Sequence, residues 1–241
     1  MKSFEEAQRL ADKDIYLKED RFESPKEFFK LGYREILKDL PECQSVLDVG
    51  CATGEFLYFL TRQLPRIQRV AGIDIVPDFF EIAKKRIPNA QFVVGDIDKR
   101  GFPEIGRFDF VALLGVLGAN FHPEQVIDNL FSAVSPGGMI YIISNFNQDP
   151  VDVHAICRRS GVSEQWETGF NIYSIRTMER LVSKHRGTVE WVDFRLPFSL
   201  PKQTDPLRGW TEPFRDNPYT VFYGSSQYTN LRFMKIRAPY R

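Results

Sequence analysis

Short apolar runs alternate, from residue 45 onward, with stretches whose apolar residues recur at helical spacing. This alternation predicts an α/β fold in which a mostly parallel sheet carries helices on both faces. We predict strands at 45–49, 69–75, 91–94, 108–114, 139–144, 188–196 and 230–237, and helices at 54–64, 77–87, 123–134 and 176–186. The sequence 135–138, Ser-Pro-Gly-Gly, predicts a turn. The last two strands have nothing helical between them, so we expect them to pair antiparallel at the sheet edge.

The segment 1–44 is predicted to be helical and to precede the main domain, 45–241. Two Ser-x-x-Glu sequences, at 3–6 and 24–27, fit the capping box that begins a helix. Pro25 suits a first helical position, and Pro41 is expected to stop the helix. Two interpretations stay open: a helix that only packs against the domain, and a lid over a ligand.

Two segments, about 145–173 and 197–229, interrupt the alternation and are predicted to be insertions on the substrate side. Aromatic side chains crowd them, namely Trp166, Tyr173, Trp210, Tyr219, Phe222, Tyr223 and Tyr228. We expect most of these rings to be packing residues and one or two to line an acceptor pocket.

The composition narrows the classes of protein and of partner that the chain can represent. The chain has 241 residues, 43% of them hydrophobic, with 32 basic and 32 acidic side chains. That is enough apolar material for one elaborated domain or at most two, and it excludes disorder as the main state. Without a basic excess, a nucleic-acid partner is disfavoured. The longest nearly apolar run, 108–121, is too short to cross a bilayer, so no membrane partner is expected.

Cysteine and histidine usage predicts a reduced, cytoplasmic protein without a metal site. The three cysteines, Cys43, Cys51 and Cys157, are odd in number and lack Cys-x-x-Cys spacing. The three histidines are far apart in the sequence. Neither set has the close pairs typical of metal ligands. A homodimer stays open.

The most informative local pattern is a glycine turn between a strand and a helix, residues 46–57. Glycines allow positive φ and a close approach of a ligand to the backbone, and the helix N-terminus offers N–H groups. Ligands bind to open α/β sheets at this carboxyl edge of the strands. The dinucleotide pattern Gly-x-Gly-x-x-Gly is not matched, because the turn reads Gly50-x-Ala52-x-Gly54.

Two downstream carboxylates indicate a nucleoside. Asp74 ends the second predicted strand, where an acid can accept hydrogen bonds from both ribose hydroxyls. Asp96 follows the third strand, where an acid can accept from the exocyclic amine of adenine. Ile75 and Ile97 are placed to enclose the adenine ring. An adenosine without phosphates, carrying an amino-acid tail, would use all of these groups.

The ordered set of motifs resembles one family. Leu47-Asp-Val-Gly-Cys-Ala-Thr-Gly54, Gly72-Ile-Asp-Ile75, Gly95-Asp-Ile97, Phe108-Asp-Phe110 and Ser135-Pro-Gly-Gly138 occur in this order. Together they resemble the class I S-adenosylmethionine-dependent methyltransferases, over about residues 44–145. The resemblance implies a Rossmann-like, seven-stranded, mostly parallel sheet with an antiparallel last strand. It also implies S-adenosylmethionine as the methyl donor and S-adenosylhomocysteine as the product.

The resemblance carries roles to particular positions. It implies that Asp48, Gly50 and Gly54 hold the methionine part of the donor, together with the Ala52 backbone. It assigns the ribose to Asp74 and the adenine to Asp96 with Ile75 and Ile97, while Leu114 and Gly115 face donor and acceptor. Ala52 departs from the family, since many members carry glycine there. Alanine is tolerable if this residue needs no positive φ.

A base for the acceptor is sought among the histidines, because a neutral hydroxyl or an ammonium acceptor must lose a proton. His122 follows the fourth predicted strand and His154 lies in the first insertion, so both are candidates. The alternatives are that His122 caps the helix beginning at Pro123 and that His154 is a surface loop residue.

We therefore expect a methyltransferase that acts on a small molecule. The fourth strand is followed by Leu114-Gly-Val-Leu-Gly118, not by the Asn/Asp-Pro-Pro-aromatic segment of enzymes that methylate nucleobases or glutamine. The tail with Asp205-Pro-Leu-Arg208 faintly resembles methyltransferases of sugar and polysaccharide biosynthesis. A protein methyltransferase, a non-catalytic S-adenosylmethionine-binding module and a nicotinamide-dependent oxidoreductase are the alternatives.

Overall fold

The computed structural model describes residues 13–18, 20–162, 164–205 and 207–240. Its helices are α1 (Lys13–Lys18), α2 (Glu27–Asp39), α3 (Glu55–Gln63), α4 (Phe79–Arg86), α5 (Pro123–Ala133) and α6 (Ile175–Lys184). The strands of its main sheet are β1 (Ser45–Val49), β2 (Arg69–Asp74), β3 (Gln91–Val94), β4 (Phe108–Leu114), β5 (Val134–Asn147), β9 (Thr188–Asp193) and β13 (Leu231–Arg237). Shorter strands are β6 (Ile156–Cys157), β7 (Glu167–Thr168), β8 (Tyr173–Ser174), β10 (Trp210–Phe214), β11 (Asn217–Tyr223) and β12 (Gln227–Tyr228).

The main sheet confirms the predicted architecture. Its strand order is β3-β2-β1-β4-β5-β13-β9, and β8 adds a short parallel pairing at the end of β5. The five strands from β3 to β5 run parallel, whereas β13 is antiparallel to both of its neighbours. This is a Rossmann-like, mostly parallel sheet whose last strand in sequence is antiparallel.

Alternate residues of each strand feed two cores on opposite faces of the sheet. On one face, residues such as Leu47 pack with α5 and α6, and on the other, neighbours such as Val46 pack with α2, α3 and α4. Most residues of the central strands β1 and β4 are buried, as their apolar sequences predict. In the described ranges, no helix combines the length and the apolar character needed to cross a bilayer.

The predicted turn at 135–138 is wrong, because this sequence begins the long strand β5. Its backbone pairs with the C-terminal segment: the Gly137 amide donates to the Pro239 carbonyl at 3.0 Å, and the Ala238 amide to the Gly138 carbonyl at 2.9 Å. Gly137 has a φ of +72° and lies against the Tyr240 ring, so glycine fits a close contact here.

The N-terminal segment differs in its first helical turn from the prediction. Helix α2 begins at Glu27, its N-cap is Lys26, and no side chain caps it, so the capping box at 24–27 does not form. Glu27 instead accepts a hydrogen bond from Lys30 at 2.5 Å. The box at 3–6 lies outside the described residues. Helix α2 ends at Asp39, close to the predicted stop at Pro41.

The two insertions contain strands that the sequence analysis did not predict. The first holds the hairpin β6–β7, and the second forms a separate antiparallel sheet, β10-β11-β12. Arg159 joins them, because its guanidinium contacts Glu167 at 3.3 Å and Asp205 at 3.1 Å. The Arg159 hydrogen bonds hold the pKa of Asp205 below its usual range. The two insertions are therefore tied to each other through Arg159.

Candidate functional site

A cavity of about 650 Å³ opens at the carboxyl ends of the parallel strands, where β1, β2 and β4 end. Nine of the ten residues predicted to bind the donor line it: Asp48, Gly50, Ala52, Asp74, Ile75, Asp96, Ile97, Leu114 and Gly115. These residues come from four strand ends, and the parallel topology brings them to one edge. The N-terminal segment also reaches the cavity, through Tyr16, Lys26 and Phe29.

The backbone conformation of the turn after β1 favours glycine at two positions. Gly50 has a φ of +76°, and a Cβ there would lie 2.3 Å from Cγ2 of Val116. Gly54 is the N-cap of α3, with a φ of +83°. It is not among the described residues lining the cavity, and a Cβ there would lie 3.3 Å from the Ala83 Cβ. The structure therefore places Gly54 at the start of α3, packed against α4 and outside the described lining of the cavity.

Ala52 adopts the left-handed conformation, with a φ of +44°. The condition that this residue needs no positive φ is therefore wrong, and alanine carries the strain that a glycine would avoid. Its amide donates to Oδ2 of Asp74 at 2.8 Å, which fixes the turn against the end of β2.

Asp74 binds the backbone with both carboxylate oxygens. Oδ2 accepts from Ala52, and Oδ1 accepts from the Val76 amide at 3.0 Å. Burial raises the pKa of Asp74, and these backbone hydrogen bonds oppose that shift. A carboxylate has about four lone-pair sites, so each oxygen can accept one more hydrogen bond from a ligand in the cavity.

Asp48 is the most unusual group in the cavity. Its side chain is 3% exposed, and Oδ1 makes no hydrogen bond with any residue that the structure describes. Burial, followed by the nearby charge of Asp74, raises the pKa of Asp48 to about 8. A buried unpartnered oxygen is rare in native proteins and calls for an explanation. Because Asp48 lines the cavity, an N–H or O–H group of a bound ligand can supply the missing hydrogen bond.

The far side of the cavity is shaped by β3 and β4. Asp96 accepts a hydrogen bond from the Asp98 amide at 2.9 Å, which sets the loop after β3. Ile75 is 38% exposed at the cavity, whereas Ile97 is almost fully buried. Gly115 has a φ of +77°, and a Cβ there would meet no described atom within 4 Å. The end of β4 thus leaves open space for a ligand.

The two histidines lie beside the cavity, and neither is among the described residues that line it. Nδ1 of His122 is 3.1 Å from Oδ2 of Asp98, and its ring does not cap α5. His154 packs edge-on against Phe121 and lies 3.4 Å from the Tyr173 hydroxyl. His122 thus contacts a carboxylate that lines the cavity, and the role of both histidines as bases stays a prediction.

The insertions complete the cavity with residues that the sequence analysis either missed or named only collectively. Thr168, Phe170 and Tyr223 line it, and the Phe170 and Tyr223 rings lie 4.7 Å apart. Tyr223 belongs to the aromatic set expected to contribute one or two pocket residues. Thr168 was missed because a single threonine in an irregular segment gives no sequence signal.

Comparison with known proteins shows a similarity to methyltransferases. Residues 46–138 match the family model described as a methyltransferase domain. The chain is 29% identical over 127 residues to a trans-aconitate 2-methyltransferase of Variovorax paradoxus, covering 53% of this chain and 48% of that protein. It is 34% identical over 107 residues to a dTDP-4-amino-2,3,4,6-tetradeoxy-D-glucose N,N-dimethyltransferase of Saccharopolyspora spinosa, covering 43% and 41%. The alignments thus span less than half the length of these relatives.

A solved structure extends the likeness to the whole fold. An amino pentose methyltransferase from Micromonospora echinaspora, with S-adenosylmethionine bound, matches with a TM-score of 0.59 and 14% identity. The match covers 93% of this chain and 94% of that one. At this identity the likeness concerns the fold, which agrees with the strand order above. Residues 46–138 are thus similar to a methyltransferase domain, and the fold of the chain is similar to that of a methyltransferase with bound S-adenosylmethionine.

Proposed function

We propose that this chain transfers a methyl group from S-adenosylmethionine to a small-molecule acceptor of the sugar or polysaccharide-precursor type. The observation that carries the proposal is the buried, unpartnered oxygen of Asp48, beside the glycine turn and lining the cavity. The methionine part of the donor carries an ammonium group, which would give Asp48 both a hydrogen bond and an opposite charge. The residues present therefore fit the donor.

The nucleoside part of the donor suits the opposite end of the cavity. Asp74 would accept hydrogen bonds from the ribose hydroxyls with its remaining lone pairs. Asp96 would accept from the adenine amine, and the exposed face of Ile75 would cover the ring. Gly115 would let the donor approach the backbone closely, because a Cβ there would meet only open space, whereas the space at Gly50 is taken by Val116.

The protein's main contribution to the reaction would be alignment. The donor supplies an already activated methyl group, so the chain has to hold the acceptor in line with it and keep water away. The N-terminal segment is suited to covering the donor, because Tyr16, Lys26 and Phe29 line the same cavity. We therefore propose that residues 1–44 include a lid.

The sugar-type acceptor is supported by the relatives. One curated relative is named for an amino-sugar nucleotide and one structural neighbour for an amino pentose, although another relative is named for trans-aconitate. The acceptor would occupy the part of the cavity bounded by Thr168, Phe170 and Tyr223, which belong to the insertions and not to the common domain.

The test combines donor binding with transfer of a labelled methyl group. We expect calorimetry to show binding of S-adenosylhomocysteine to the wild-type chain and weaker binding to Asp74→Ala, by roughly 1–3 kcal/mol, since that variant leaves ribose hydroxyls unpaired. We expect label from the donor to appear in sugar-type small molecules. Label only in protein would identify a protein methyltransferase. Binding without transfer would identify a non-catalytic module, and preferential binding of a nicotinamide cofactor would contradict the proposal.

A further inference from the structure

We infer that the acceptor group is an amine and that the Thr168 hydroxyl is the side chain that orients it. This inference rests on the proposed methyl transfer and specifies the atom that receives the methyl group. It depends on three features of the acceptor end of the cavity: an unpartnered hydroxyl, a braced loop, and an aromatic wall.

The hydroxyl of Thr168 is prepared for a ligand. The residue lies in β7, is 3% exposed and lines the cavity. Its Oγ1 is buried and finds no hydrogen-bond partner within the described part of the chain. Asp48 is the other cavity-lining group with such an oxygen, and it lies at the donor end. Thr168 is therefore the corresponding group at the acceptor end.

The strand that carries Thr168 is fixed from its other side. Successive side chains of a strand point to opposite faces, so Glu167 points away from the side of Thr168. Glu167 meets Arg159 at 3.3 Å, and Arg159 also holds Asp205 of the second insertion. Thr168 is thus held in place by contacts that do not use its own hydroxyl.

The following loop is strained and braced. Phe170 has a φ of +65°, a conformation that is costly for an aromatic residue and is typical of functional sites. Asn171 compensates: its amide donates to the Gly118 carbonyl at 2.9 Å, and its side chain donates to the Asn120 carbonyl at 2.8 Å. These bonds attach the loop to the segment after β4, so the Phe170 ring is held at the cavity.

The aromatic wall favours an acceptor on which positive charge develops. When an amine attacks, the nitrogen lone pair forms the new N–C bond, and the electrons of the S–C bond stay on sulfur. The sulfonium becomes a neutral thioether, and the positive charge passes to nitrogen. The negative faces of the Phe170 and Tyr223 rings can stabilise that charge. With a carboxylate acceptor the charges would cancel, and this wall would give no such advantage.

Thr168 suits the same reaction. The amine must arrive neutral, having left its proton in solution, and its N–H can then donate to Oγ1 of Thr168. That hydrogen bond would leave the nitrogen lone pair directed at the methyl group. After transfer, the methylated ammonium would leave the cavity and release its proton to water.

The experiment compares three matched probes: an amino-deoxy hexopyranoside, the parent hexopyranoside with a hydroxyl at that carbon, and the corresponding uronic acid. Each is incubated with labelled donor and with the wild-type chain, Thr168→Val or Thr168→Ser, and products are assigned by mass spectrometry. We expect N-methylation of the amine probe, with log kcat/KM rising by one per pH unit below the pKa of the amine.

The two variants separate the contribution of the Thr168 hydroxyl from that of the side-chain shape. Thr168→Val keeps the shape and should lose about tenfold in kcat/KM, the equivalent of one hydrogen bond, while Thr168→Ser should stay within about threefold of wild type. Donor affinity should be unchanged in both, and thermal stability should not fall in either, because the hydroxyl has no hydrogen-bond partner among the described residues. O-methylation of either other probe in preference to the amine, or full activity of Thr168→Val, would overturn the inference and leave the proposed function standing. Donor binding without transfer to any probe would overturn both.

Discussion

Replacing Asp48 by asparagine removes an ionisable group whose charged form is disfavoured by burial in the fold. In an unfolded chain an aspartate has a pKa of about 3.9, whereas burial raises the pKa of Asp48 to about 8 in the fold. Because the folded pKa is the higher one, the wild-type chain loses stability as the pH rises from about 4 towards about 8. The asparagine variant has no such loss, so its stability relative to wild type should grow over this window.

The size of the effect follows from the two pKa values. Between pH 5 and pH 7 the linkage relation gives a relative gain of roughly 3 kcal/mol for the variant, as an upper value. The assay is urea unfolding of both chains without donor at these two pH values. Any constant packing cost of asparagine cancels in the difference. Because the charge of Asp74 helps to raise the pKa of Asp48, the difference between the two chains includes the interaction of these two carboxylates.

A control is Asp109→Ala. The Asp109 carboxylate accepts from the backbone amides of Gln44 and Ser45, at 2.9 and 3.0 Å, so removing it should lower stability at both pH values. A stability difference between Asp48→Asn and wild type that is the same at pH 5 and pH 7 would refute the picture of a buried, uncompensated carboxylate.

The affinity of the wild-type chain for the methyl donor should rise with pH, whereas its stability falls. The ammonium of S-adenosylmethionine requires an ionised Asp48, so wild-type affinity should fall by about tenfold for each pH unit below about 8. The asparagine variant should bind the donor weakly, and its affinity should lack this dependence. A more stable variant that binds less well is the expected trade-off at a binding site.

Three further outcomes are expected. Ala52→Gly should raise the free energy of unfolding by roughly 0.5–1 kcal/mol, measured in urea, because glycine accepts a φ of +44° without strain; a loss of stability would contradict the assigned conformation. Gly50→Ala should abolish donor binding in calorimetry through the 2.3 Å contact with Val116, and Val116→Ala in the same chain should restore part of it; equal binding by the single and double variants would be inconsistent with this clash. Lys235→Met should cost about 3–5 kcal/mol in urea unfolding, since the Lys235 side chain is 0% exposed and lies 2.6 Å from the largely buried Asp39 carboxylate, which would lose its cationic partner; a cost below about 1 kcal/mol would show that this carboxylate is solvated.

The donor half of the cavity was predictable because its signals are local. A glycine turn after one strand and acids at the ends of two others are visible in the sequence, and the parallel topology brings them to one edge. Thus Asp74 and Asp96 were named from their positions in the chain and Asp48 from the family resemblance, and all three line one cavity in the structure.

The rest depends on contacts between distant segments. No local pattern shows that Ala52 has a positive φ, since that follows from its bond to Asp74. The Ser-Pro-Gly-Gly sequence reads as a turn until its pairing with the C-terminal segment is known. The acceptor end is built by Thr168 and Tyr223 from two insertions, whose juxtaposition only the folded chain reveals.

The most direct test of the central claim is a crystal structure of the chain with S-adenosylhomocysteine. The account predicts that the ligand ammonium lies within hydrogen-bond distance of Oδ1 of Asp48 and that the ribose hydroxyls contact Asp74. An amino-acid tail directed away from Asp48, or a cavity that takes up a pyrophosphate-containing nucleotide in its place, would contradict it.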